Sequence, residues 1–156
     1  MRALLQRVSR AEVRIDGEVV GAIGGGLMIM LGVAPKDDEF VAAAMAAKVA
    51  GLRIFADADG LTNLSIGEVG GSALVVSQFT LYADCRRGRR PSFIGAAGPI
   101  VGESLYEVFC EILASHRIKV AQGRFGADMQ VDLVNDGPFT IWLDSDELGI
   151  EPHSHG

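Results

Sequence analysis

The chain has 156 residues, enough for one domain with a substantial core. With 49% hydrophobic and 22% charged residues it reads as an ordinary globular protein, neither disordered nor of low complexity. A formal net charge of −6 excludes a general nucleic-acid coat, so any contact with RNA must come from a local basic patch.

Met1-Arg2-Ala3-Leu4-Leu5 passes straight into a strand-like pattern, and no signal peptide is expected. Residues 27–33 are the longest apolar stretch near the N-terminus, and Gly32 interrupts them. They fall short of the ~18 apolar residues of a membrane span, so no membrane association is expected. Cys85 and Cys110 fit free thiols in a reducing, cytoplasmic setting better than a disulfide scaffold.

Residues 2–33 read as strands. Val13 and Ile15 alternate with Glu12, Arg14 and Asp16, and Asp16-Gly17 is a hairpin signal from which Glu18-Val19-Val20 returns. Gly24-Gly25-Gly26 breaks the chain before Leu27-Met28-Ile29-Met30-Leu31, which is apolar on both faces and so predicts a buried central strand. Asp38 offers an N-cap to a helix over 38–52, where Val41, Met45, Val49 and Leu52 recur at helical spacing. A short strand at Arg53-Ile54-Phe55 and a turn at Asp57-Ala58-Asp59-Gly60 follow; the later ligand positions of a calcium loop are absent there.

Residues 73–81 read as a second apolar strand that runs into polar groups at its far end. Arg86-Arg87-Gly88-Arg89-Arg90-Pro91 is a basic loop. A second helix is expected over 100–116, with Val101, Leu105, Val108, Ile112 and His116 on one stripe. Two alternating strands are expected at 129–133 and 139–143, with Asn135-Asp136-Gly137-Pro138 between them.

This order predicts an α+β fold: a mainly antiparallel β-sheet system, barrel-like or in two layers, with two main helices packed outside. No repeat or linker divides the chain. Residues 1–146 are expected to form a single domain and residues 147–156 a flexible C-terminal tail.

The common catalytic constellations are missing. No Gly-x-Ser-x-Gly elbow occurs, and the histidines are His116 on a helix stripe and two in the tail. No metal-ligand spacing appears and neither glycine run matches a nucleotide loop, so no metal and no cofactor are expected. An enzyme of this sequence works with backbone groups, hydroxyls, water or the substrate itself. Ser77-Gln78-Phe79-Thr80 is the candidate, because a strand end can aim successive N–H groups at one point. Such donors stabilise the oxyanion of ester hydrolysis by ~2.7–4 kcal/mol each. The competing reading is an ordinary strand with Ser and Thr on one face. Arg86, Arg87, Arg89 and Arg90 form a patch suited to phosphate, or else a solvated loop.

Four spaced motifs carry a resemblance that covers nearly the whole chain. They are Ser77-Gln78-Phe79-Thr80-Leu81-Tyr82-Ala83-Asp84, Gly88-Arg89-Arg90-Pro91-Ser92-Phe93, Gly123-Arg124-Phe125-Gly126-Ala127-Asp128-Met129 and Asn135-Asp136-Gly137-Pro138. With the opening Met1-Arg2-Ala3-Leu4-Leu5-Gln6-Arg7-Val8 they resemble the D-aminoacyl-tRNA deacylases of bacteria and eukaryotes. The resemblance implies a cytoplasmic homodimer that hydrolyses the ester between a D-amino acid, or glycine mischarged on tRNA for alanine, and the 3′ end of tRNA. It implies that Ser77, Gln78, Phe79 and Thr80 line the catalytic site. Either Thr80 is the nucleophile, or the tRNA's own 2′-hydroxyl drives hydrolysis with backbone help. It further implies that Gly137-Pro138 is cis, enters the partner subunit's site and grips the substrate's amino group, and that Arg7 holds that pair in place. Phe125 and Met129 are implied beside the substrate, and Arg86, Arg87, Arg89 and Arg90 beside the tRNA.

Two positions depart from the family pattern. Phe139 stands where Val is usual, and Gly98 precedes Pro99 where Ala or Pro is usual. The second change is expected to affect only a loop before the helix. The alternative to an esterase is a non-catalytic nucleic-acid-binding module that uses the arginine loop.

Overall fold

The computed structural model describes residues 1–153. β1 (Arg2–Ile15) turns back into β2 (Glu18–Ile23) through Asp16 and Gly17, whose φ angles of 51° and 80° suit a two-residue hairpin loop. β3 (Gly26–Gly32) leads to α1 (Glu39–Gly51). The Asp38 side chain caps α1 by accepting the Val41 N–H at 2.9 Å. β4 (Phe55–Ala56) and β5 (Thr62–Leu64) make a separate two-stranded ribbon. Between them Asp57 Oδ1 accepts the N–H groups of Asp59 and Leu61, which closes the turn. β6 (Ser72–Ser77), a 3₁₀ turn (Phe79–Tyr82), α2 (Pro99–Ser115), β7 (Lys119–Gln122) and β8 (Gln130–Asp144) complete the chain.

The main sheet runs β2-β1-β3-β6-β7, with β8 on the other edge of β1. β1 pairs antiparallel with β2, β3 and β8, while β3, β6 and β7 run parallel. The sheet curls until β2 meets β7. A Cβ on Gly21 would lie 2.5 Å from the Gln122 carbonyl oxygen, so only glycine allows the two backbones to close the barrel there.

Two cores result. Leu5, Leu27, Ile29, Leu31 and Val75 face the helices, packing against Val41, Met45, Val49, Leu105, Phe109 and Leu113. Val8, Ala11, Val13, Met28, Leu74 and Val76 fill the barrel interior. β3 is thus buried on both faces, as its unbroken apolar run predicts. On β1 the inward set passes from even to odd numbers between Val8 and Ala11. A register shift between Val8 and Arg10 supplies the extra residue that turns the strand over.

The Met1 ammonium group is buried with Asp37 (2.9 Å) and Ser145 Oγ (2.7 Å), and Asp37 Oδ2 also accepts the Ala34 N–H. This knot ties the start of β1 to the loop before α1 and to the end of β8. Beyond β8, Ile150 packs on the helix-side core and His153 stacks on Phe40 at 3.9 Å. Residues 154–156 of the expected tail lie outside the described residues.

Three sequence expectations are corrected. The strand expected over 73–81 stops at Ser77. Its partner β3 ends at Gly32, and the Gln78 N–H makes the last rung to the Leu31 carbonyl (2.8 Å), beyond which no strand is there to pair. The strands expected at 129–133 and 139–143 are one strand, because both halves pair with the same β1. Two short strands, β5 and β7, had not been expected. Among the described residues no helix is long and apolar enough to cross a membrane.

Candidate active site

Ser77, the last residue of β6, and Gln78 after it line a cleft of about 550 Å³. Phe79, Phe125 and Met129 line the same cleft, so five of the residues picked out in the sequence come together. Ala97, Pro99, Asp128 and Val131 also line it; of these, Asp128 stands in one of the sequence motifs, and none was expected there by its chemistry. Pro99 is the first residue of α2 as well as a wall residue, so the 98–99 position does more than shape a loop.

The 3₁₀ turn sets the donors. Its first N–H groups have no acceptor within the turn. The Gln78 N–H is spent on Leu31, but among the described residues no carbonyl accepts from the N–H of Phe79 or Thr80. These two neighbouring N–H groups are left without a backbone acceptor; Phe79 lines the cleft, whereas Thr80 is not among the residues that line it. The Gln78 side-chain amide donates to Thr80 Oγ1. That bond uses a lone pair of the hydroxyl and makes it a poorer nucleophile. No base is within hydrogen-bonding reach of Thr80 among the described residues, whereas a nucleophilic hydroxyl needs one.

Gly137 and Pro138 sit elsewhere, exposed at the crest of a bulge in β8. Gln6 pairs with Thr140 and Val8 with Asn135, so the residues numbered 136–139 stand opposite Arg7 alone. The Gly137-Pro138 bond is cis. Gly137 has a φ of 138°, and a Cβ there would meet the Phe139 nitrogen at 2.9 Å. Asn135 staples the base of the bulge: its Oδ1 accepts the Phe139 N–H and its Nδ2 donates to Thr140 Oγ1, both at 3.0 Å. Arg7 braces it from below, with Nε donating to the Asp136 carbonyl (3.1 Å) and Nη1 to the Ile54 carbonyl (2.9 Å). The Arg7 guanidinium lies 4.5 Å over the Phe139 ring, and Phe139 packs on the helix-side core. The larger ring therefore serves as a shelf for the brace.

The bulge and the cleft are far apart within one chain. Arg7 is level with Leu27 and Ala73, whereas the cleft begins level with Leu31 and Ser77. Four residues along the strands is about 13 Å, and the three strand steps from β8 to β6 add about 14 Å across.

The basic loop is closed by a bridge between Asp84 and Ser92. Asp84 grips Arg86 through both carboxylate oxygens, at 2.9 and 2.7 Å. That Arg86 bond holds the Asp84 carboxyl down to about 2. Arg87, Arg89 and Arg90 are exposed and make no ion pair among the described residues. Cys110 is buried, and burial pushes its thiol up to about 12, so it offers no thiolate near neutral pH. No cluster of three or more metal-binding side chains occurs among the described residues.

The profile of the D-Tyr-tRNA(Tyr) deacylase family matches residues 4–144. The D-aminoacyl-tRNA deacylase of Anaeromyxobacter dehalogenans (strain 2CP-C) is 57% identical over 148 residues, which is 95% of this chain and 99% of that protein. The enzyme of the same name from Roseiflexus castenholzii is 59% identical over 145 residues, 93% of this chain and 92% of that one. Among solved structures, a c-Myc DNA unwinding element binding protein superposes with a TM-score of 0.87 at 38% identity, covering 93% of this chain and 99% of that one. A probable eukaryotic D-amino acid tRNA deacylase superposes with a TM-score of 0.80 at 20% identity, covering 91% and 97%, a likeness of fold.

Proposed function

The chain belongs to the D-Tyr-tRNA(Tyr) deacylase family, and on that premise we propose an esterase site composed from two subunits. The protein is a D-aminoacyl-tRNA deacylase, a hydrolase of the ester bond between a D-amino acid and tRNA. In the finer reading, the cleft at residues 77–79 takes the esterified adenosine. The N–H groups of Phe79 and Thr80 receive the negative charge that develops on the ester carbonyl oxygen. Attack comes from water helped by the tRNA's 2′-hydroxyl, because Thr80 lacks a base and its hydroxyl already accepts from Gln78. Phe125 and Met129 pack beside the substrate.

Chirality is read by the Gly137-Pro138 bulge of a second copy, whose backbone carbonyls grip the substrate's amino group. With that group fixed, an L side chain projects into the bulge and is refused, while a D side chain points to the open mouth. Glycine has no side chain to refuse, so glycine mischarged on tRNA for alanine is also cleared. A site of this kind needs no specific side-chain pocket. The two-subunit reading rests on the distance between bulge and cleft within one chain. The bulge is too far from the cleft of its own chain to serve it, yet it is exposed and braced by Arg7. A tRNA substrate places the work in the cytoplasm.

Mixed dimers test this. Phe79→Pro removes an oxyanion donor, and Gly137→Val collides with the Phe139 nitrogen. Each variant alone is expected to be inactive. In an equimolar mixture, half the dimers hold one intact composite site, so activity returns to about a quarter of the wild type. No recovery in verified heterodimers contradicts the cross-subunit site.

A second reading, a nucleic-acid-binding module without catalysis, draws on Arg87, Arg89 and Arg90 and on the name of the 38% identical structure. It predicts salt-sensitive binding of RNA or DNA without ester turnover.

A further inference from the structure

Phe79 is 56% exposed and Phe93 39%, and their rings meet edge to face with centroids 5.1 Å apart. Ile94, the next residue, is 89% exposed. Large apolar side chains left in water beside a cleft call for an occupant. The pair is continuous with the cleft, because Phe79 lines it. It is also continuous with the basic loop, because Phe93 follows Ser92, which closes that loop against Asp84. Asp84 occupies Arg86 and leaves Arg87, Arg89 and Arg90, three to six residues before Phe93 in the chain, without acidic partners among the described residues.

Resting on the deacylase reading, we propose that Phe79 and Phe93, flanked by Arg87, Arg89 and Arg90, form a platform for the unpaired nucleotides that precede the esterified adenosine at the 3′ end of the tRNA. Apolar rings at the foot of an arginine loop suit single-stranded nucleic acid: bases stack on the rings and the arginines follow the phosphates. Charge complementarity chooses the occupant: three arginines without acidic partners among the described residues favour a chain of phosphates. The platform accepts any base, because every base has a stacking face. It therefore adds affinity for a tRNA end without choosing among tRNAs.

The experiment compares two substrates, full-length D-Tyr-tRNA and the D-tyrosyl ester of adenosine, which lacks the preceding nucleotides. For Phe93→Ala the KM on D-Tyr-tRNA is expected to rise about tenfold with kcat unchanged. Turnover of the adenosine ester stays within about twofold of the wild type. Phe93→Leu keeps the apolar bulk but not the ring and shows the same split, whereas Phe93→Tyr behaves as wild type. Arg87→Gln with Arg89→Gln lowers the slope of log KM against log salt by about 1.4. Equal losses on both substrates, an unchanged KM on D-Tyr-tRNA, or a change of oligomeric state in Phe93→Leu overturns the platform. If the wild type hydrolyses neither ester, the deacylase reading falls with it; if it hydrolyses both and Phe93→Leu is indistinguishable on both, the platform falls alone.

Discussion

Removing Arg7 separates the stability of the fold from the geometry of the bulge. Its half-buried guanidinium holds the Ile54 carbonyl, an exposed bond to the Asp136 carbonyl, and the Phe139 ring. A charge-assisted bond contributes about 1.5–2 kcal/mol where partly buried and about 1 where exposed. The ring contact adds about 0.5–1 kcal/mol. Ordering the long side chain costs about 1.5–2 kcal/mol. Arg7→Ala should therefore lower global stability by about 1–2.5 kcal/mol, a Tm change of about 2–10 °C, and leave the protein folded. Activity should fall far more. The residues numbered 136–139 lose their brace, and a displacement of about 1 Å in a positioning group can cost about 10²-fold in rate. The assay is deacylation of D-Tyr-tRNA alongside thermal unfolding of the same preparation. Arg7→Lys, which keeps the charge but loses the fork, should restore most of the Tm and little of the kcat/KM. An Arg7→Ala enzyme within about threefold of the wild type, or one whose loss tracks only its unfolded fraction, refutes the brace.

Other outcomes follow from the same geometry. Thr80→Ala should keep much of its deacylation rate, measured in single turnover, and D-Tyr-tRNA ending in 2′-deoxyadenosine should not be turned over. A loss in Thr80→Ala near the whole rate enhancement would make Thr80 the nucleophile. A thiol reagent at pH 8 should titrate exposed Cys85 in the native protein, with Cys110, pushed up to about 12 by burial, reacting only on unfolding. Asp84 should titrate near 2 by NMR. A carboxyl lowered by folding contributes in full above its unfolded value near 3.8 and loses that contribution as pH falls toward 2, so the arginine loop should keep its pairing at pH 4.5. A normal carboxyl titration at Asp84 would mean that Arg86 is not held.

Local chemistry was legible in the sequence. Asp16-Gly17 shows its hairpin because the turn needs positive φ at both positions, and Asp38 shows its cap because the N-cap preference is local. The long apolar run at β3 shows that both of its faces are buried. What depends on pairing was not legible. Nothing in residues 78–81 says that the strand must stop, since the cause is the end of its partner. Asn135-Asp136-Gly137-Pro138 reads as a connection between two strands, and only the register with β1 shows it as a bulge in one. Lys119-Val120-Ala121-Gln122 is too short to show a period. The candidate site is legible as motifs and not as chemistry, because backbone N–H groups carry no side-chain signature. The role of Phe139 under Arg7 was equally hidden, since it depends on a contact between β1 and β8.

The most direct test is deacylation of D-Tyr-tRNA and L-Tyr-tRNA, each at the same concentration, by the wild-type protein. The composite site predicts rapid hydrolysis of the D ester, with the L ester spared by roughly 10²-fold or more. Equal hydrolysis of the two esters, or hydrolysis of neither, contradicts it.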